Sequence, residues 1–104
     1  MKGKKGKDIE KELQKRVSHY EKLTSRALKK AKITVPKDSF LHGAAVDFRE
    51  MAQSYFSDAQ HFAKKGELPL ALAAFSYAHA WLDAGARLGL FDVRGDHELF
   101  TLYR

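Results

Sequence analysis

Apolar residues in the first third of the chain return every three or four positions. Ile9, Leu13, Val17, Tyr20, Thr24, Ala27 and Ala31 form one such series. A 3.6-residue period brings these positions onto one face of an amphipathic helix. The pattern predicts a first helix from about Asp8 to Lys32. It is closed by Ile33-Thr-Val-Pro36, because proline pushes the residue before it toward extended backbone. A second series, Leu41, Ala44, Phe48, Met51, Ala52, Tyr55, Ala59 and Phe62, predicts a second helix with a core-facing stripe. Asp38 or Ser39 is placed to cap its start. Lys64 and Lys65 complement the dipole at its end, and Gly66 suits the left-handed position that terminates a helix. Pro69 then falls in the first turn of a third helix, where its missing N–H costs nothing.

The third helix, about Leu68 to Leu88, has no wide polar face. Phe75, Leu82, Ala71, Ala78, Gly85, Ala74, Trp81, Leu88 and Tyr77 fill one arc, and Ala73, Ala80 and Ala84 occupy the far side. A helix apolar nearly all round is buried on most sides. It is therefore expected at the centre, with its alanine face letting a neighbour approach closely. After Gly89, residues 90–97 read as a loop. Glu98-Leu-Phe-Thr-Leu-Tyr-Arg104 is β-prone and roughly alternating, which allows a short strand, an extended segment or a short fourth helix. The expected fold class is all-α, an antiparallel three-helix bundle (up-down-up). A basic, disordered segment 1–7 precedes the bundle domain over 8–91, and a tail over 92–104 packs on the bundle or at an interface.

A chain of 104 residues supports one domain with a modest core. Hydrophobic residues at 44% and charged ones at 31% describe a folded protein rather than a disordered one. The absence of cysteine excludes disulfides and thiolate metal sites, and it fits a reducing compartment. No apolar segment follows the basic start, so no secretory leader is expected there. The richest apolar run, Leu68 to Leu90, is broken by Ser76, His79, Asp83 and Arg87. It falls short of the ~18 consecutive apolar residues that span a bilayer. A cytoplasmic protein without membrane contact is the expectation.

Charge changes the picture more than composition does. Residues 1–37 carry a net charge of +9 and residues 38–104 a net of −3, within a total of +6. Lys11, Lys15, Lys22, Arg26 and Lys29 share one helical face opposite Ile9, Tyr20 and Ala27. A row of cations can follow a phosphate backbone, and the lysines at positions 2, 4, 5 and 7 add diffuse attraction. The plainer reading is a lysine-rich solvated face, since no aromatic residue is interleaved for base stacking.

A second candidate lies on the third helix. Ser76, His79, Asp83 and Arg87 fall within about 80° of one another, and both His79–Asp83 and Asp83–Arg87 are four apart. A histidine oriented by an aspartate begins an acid–base constellation. No nucleophile, metal or substrate pocket completes it, so a ladder on the exposed strip of the helix is the simpler reading. The five histidines are scattered, with no pair at metal-ligand spacing. Asp47, Glu50, Asp58 and His61 line one edge of the second helix and read as a solvated face. No metal, cofactor or catalytic residue is expected. Arg94-Gly95-Asp96 is too short to carry meaning, and the single Gly66-Glu-Leu-Pro-Leu-Ala-Leu72 turn excludes a helical-repeat array.

The segments Asp47-Phe48, Ser54-Tyr55, Asp58-Ala59, His61-Phe62 and above all Ala71 to Leu90 resemble the archaeal family called domain of unknown function 357. The resemblance covers roughly residues 8–91 and implies a short archaeal protein folded as an antiparallel helical bundle, with no established activity. It places His79, Asp83 and Arg87 inside the family's signature block. A looser resemblance to HEPN-type helical domains carries no activity over, because Arg16-Val-Ser-His19 is spaced too tightly. The leading reading is a non-enzymatic interaction module whose basic first helix contacts an acidic partner, either nucleic acid or nucleoprotein. The alternatives are a protein–protein adaptor or homodimer built on the alanine face and apolar tail, and a small-ligand or enzymatic site at His79, Asp83 and Arg87.

Overall fold

A computed structural model describes residues 2–96 and 98–100, with side chains from Gly6 onward. Its elements are α1 (Lys2–Lys30), β1 (Lys32–Ile33), α2 (Phe40–Lys64), α3 (Leu68–Arg87) and β2 (Phe91–Asp92). The three helices pack as an all-α antiparallel bundle. Ser39 caps α2, its hydroxyl accepting from the His42 N–H at 3.2 Å while donating to the Pro36 carbonyl. Gly66 takes φ +79° just past the end of α2, and Pro69 sits in the first turn of α3. Among the described residues no helix is long and apolar enough to cross a membrane.

α3 is the central helix and packs along both α1 and α2. Ala45, Ala52 and Ala59 of α2, and Ala71, Ala78 and Gly85 of α3, recur at seven-residue intervals and are all buried. Small side chains at those steps let the two helices approach closely, while Phe56, Phe75 and Leu82 fill the volume beside them. Gly85 is required by its neighbour: a Cβ there would lie 2.1 Å from Cε2 of Phe91. The alanine expectation is corrected accordingly. Ala73 and Ala80 face solvent, and the close approach is made by the alanines on the opposite arc.

Three further differences from the expected outline have physical causes. α1 begins at Lys2 rather than near Asp8. Once a downstream turn exists, each added lysine brings a hydrogen bond, which offsets the cost of about 1 kcal/mol for each of Gly3 and Gly6. α1 ends two residues early because Lys32 and Ile33 pair antiparallel with Asp92 and Phe91. That short ladder lies in what the sequence reads as a loop, and Phe91 is held in it by burial against Gly85. The start of the tail turns back onto the bundle with Leu99 and Phe100 buried. The remainder of the β-prone stretch, residues 101–104, lies outside the described residues.

Candidate functional site

The polar stripe of α3 is not an exposed ladder. His79 is only 9% exposed. Its Nδ1 lies 3.1 Å from Oγ1 of Thr24, a fully buried residue of α1, and its Nε2 lies 2.6 Å from the Leu99 carbonyl oxygen. A carbonyl can only accept, so Nε2 carries the proton; in the neutral ring Nδ1 then accepts from the Thr24 hydroxyl. Asp83 Oδ1 stands 3.8 Å from the same Nε2, at the margin of the pair and too far to compete with Leu99 for the hydrogen bond. Both ring nitrogens are therefore engaged, and neither is free to move a substrate proton. His79 ties the central helix to α1 on one side and to the tail on the other. Ser76 and Arg87 are exposed and Asp83 is half-buried, so of the four residues on the stripe only His79 lies in the core.

The tail has a second fastening. Asp96 accepts from the Lys30 ammonium at 2.7 Å and from the backbone N–H groups of Glu98 and Leu99. The Lys30 hydrogen bond, followed by that from Leu99, holds the Asp96 carboxyl below the ordinary carboxylate range. Asp92 accepts from the Arg94 N–H, steadying the turn in which Arg94 and Gly95 adopt positive φ. The Arg94-Gly95-Asp96 tripeptide thus belongs to the turn that docks the tail.

The basic face of α1 is fully presented. Lys11, Lys15, Lys22, Arg26 and Lys29 are all exposed, opposite buried Val17, Thr24 and Ala27. At 1.5 Å per residue the row runs about 27 Å, with gaps of about 6 Å between Lys11 and Lys15 and between Lys22 and Arg26. No carboxylate stands in the row between its first and last member. Glu12 pairs with Arg16 at 3.4 Å and Glu21 accepts from the Gln60 amide, both to the sides of the row. Two open depressions adjoin its C-terminal half. One, of about 380 Å³, is lined by Glu21, Lys22, Ser25, Arg26, Phe56 and Gln60, and the other, of about 320 Å³, by Arg26, Lys29, Lys30, Asp96 and Leu99. Arg26 borders both. Toward the other end, residues 6–12 are all exposed, so α1 runs beyond its packing partners before Val17 enters the core.

The acidic edge of α2 stays dispersed. Asp47, Glu50, Asp58 and His61 are exposed, and among the described residues no group of three or more His, Asp or Glu is placed to hold a metal ion. Two residues of the tail fastening escaped the sequence reading. Thr24 was counted with the apolar stripe, although a hydroxyl at a core position calls for a partner. The Leu99 carbonyl carries no sequence signal at all.

These features define a small three-helix bundle whose last segment is pinned back by a buried histidine. The sequence model of one family, described as protein of unknown function (DUF357), matches residues 19–91. The chain belongs to that family. The matched span contains α2, α3, β1, the C-terminal part of α1 from His19 on and the first residue of β2, and it leaves out the longer N-terminal part of α1, with Lys11 and Lys15, and the tail. No curated protein and no solved structure matches the chain.

Proposed function

We propose that this protein is a binding module, not an enzyme, and that the exposed face of α1 grips the phosphate backbone of a nucleic acid. One observation carries the reading: five cations project from a single unobstructed helix face while the flanking carboxylates are turned to other partners. Such a face neutralises phosphates and releases their counterions without reading bases. His79 has no part in this chemistry, since one of its ring nitrogens is bonded to Thr24 of α1 and the other to the tail.

Fluorescence anisotropy with labelled duplex DNA and RNA, over a salt series, tests the proposal. Five phosphate contacts give a log–log salt slope of about −4.5 on duplex DNA and about −3.5 on a single strand. The charge reversal Lys22→Glu with Arg26→Glu abolishes binding. Lys64→Glu with Lys65→Glu makes the same change in net charge at the far end of α2 and leaves most of it. No binding at low salt, or equal losses in the two double variants, overturns the proposal.

A further inference from the structure

The bundle face turned away from α1 carries two apolar seams. On α3 the seam is Leu70, Ala74, Tyr77, Trp81, Ala84 and Leu88; on α2 it is Ala44, Phe48, Met51, Tyr55 and Phe62, with the exposed Asp58 at its border in the one position of the series that is not apolar. Both alternate steps of four and three residues, the spacing of a coiled-coil seam. They meet where Phe48 packs edge-on against Trp81 and Tyr55 against Tyr77, with ring centroids 5.0 and 4.4 Å apart. α1 lies on the other side, bonded to His79 and Gln60. Leu70, Tyr77 and Leu88 are left 51%, 48% and 64% exposed. Apolar exposure of this extent along one strip marks a docking surface.

The order of side-chain sizes says what docks there. The α3 seam reads the same in both directions: leucine, alanine, aromatic, aromatic, alanine, leucine, with its midpoint at residue 79. Extended by Leu41, the α2 seam runs large, small, aromatic, methionine, aromatic, Asp58, aromatic, with its midpoint at Met51. The two ring pairs put Met51 and His79 at the same height in the antiparallel hairpin. Both midpoints therefore lie on one line across the face. A two-fold axis along that line sets Leu70 against the partner's Leu88, Ala74 against the partner's Ala84 and Tyr77 against the partner's Trp81. In an isologous interface residue i meets j and j meets i, and the order along α3 gives such a contact like-sized pairs throughout.

The available area is also of the right order. Two adjacent helices about 30 Å long present a face of about 600 Å² before side-chain relief, against about 800 Å² per partner in a standard interface. We infer that the chain forms a symmetric dimer through this face, two α2–α3 hairpins closing into a four-helix core with each α1 on the outside. The same axis brings Asp47 toward the partner's Asp58 at the rim, so salt screens a repulsion and tightens the dimer. Binding of a polyanion by α1 responds to salt in the opposite sense, which keeps the two proposals separable.

Sedimentation equilibrium of the full chain, from micromolar to near-millimolar concentration, is the test. A species of twice 11.8 kDa is expected, more populated at high salt, with a blue shift of the emission of Trp81 on association. Leu70→Lys and Leu88→Glu alter exposed positions, and circular dichroism checks that each variant stays helical. Each alone weakens the dimer about tenfold or more by burying an unpaired charge. Combined in one chain they restore it, because each introduced lysine faces the partner's introduced glutamate. A monomer at every concentration overturns the inference. So does a combined variant that associates no better than the weaker single one.

Discussion

Replacing His79 by alanine probes the feature on which the tail depends. The substitution removes the donor that serves the Leu99 carbonyl and the acceptor that serves the Thr24 hydroxyl. A buried polar group left unsatisfied costs about 1–3 kcal/mol. The Thr24 hydroxyl can turn to the carbonyl one turn back in α1, so its share is the smaller. The Leu99 carbonyl regains a partner only if the tail lifts into water, which exposes Leu99 and Phe100. A loss of about 2–3 kcal/mol is expected, read by urea denaturation, together with a fall in melting temperature of roughly 10 °C or more. Thr24→Val on its own costs about 1 kcal/mol and costs almost nothing when added to His79→Ala, since the two side chains share one interaction. Hydrogen exchange of the Phe100 amide, which bonds the Asp96 carbonyl at 3.1 Å, should accelerate in His79→Ala. A variant within about 0.5 kcal/mol of the parent, with Phe100 exchange unchanged, would refute the idea that His79 pins the tail.

Gly85→Ala should lower stability by about 1–3 kcal/mol in thermal melts, because the Phe91 ring must move and overpacking outweighs the gain in helix propensity of about 1 kcal/mol. A melting point at or above the parent's contradicts the packing described. Asp96 gives a pH dependence of definite sign. Its carboxyl is held below the unfolded value, so its contribution is present above about pH 4 and is lost as pH falls through the lower folded value. Protection of the Leu99 amide, followed by NMR, should therefore fall in acid in the parent. In Asp96→Asn it should already be reduced at neutral pH and change little on acidification; identical profiles for the two proteins would count against the Lys30–Asp96 fastening.

The helices were legible because their signals are local. Stripes at three- and four-residue steps, Ser39 before α2, Gly66 after it and Pro69 in the first turn of α3 each act within a few residues of where they are read. The cations of α1 were legible for the same reason, since one helical period places all five on a single face. What escaped was non-local. Whether His79 faces water or Thr24 depends on which side of α3 receives α1, and a wheel drawn for one helix holds no information on that. The β1–β2 pairing joins two dipeptides without strand-like length, so neither shows the alternation that predicts a strand. Ala73 and Ala80 misled because small apolar residues suit a close contact and an exposed helix surface equally well.

The short ladder also bears on the order in which the molecule assembles. β1 and β2 bring together segments about 60 positions apart, whereas only three residues separate α2 from α3. Loop closure grows costlier with length, so the α2–α3 hairpin is the local folding unit, and α1 docks with the ladder and the tail as a later step. The reverse order governs opening under native conditions. α1 and the tail are coupled in this, because Thr24 and Leu99 share His79 and Lys30 holds Asp96. A ligand bound along the basic helix therefore engages the unit that joins the fold last. Where it prefers the docked helix it slows release of the tail, some seventy residues further along the chain.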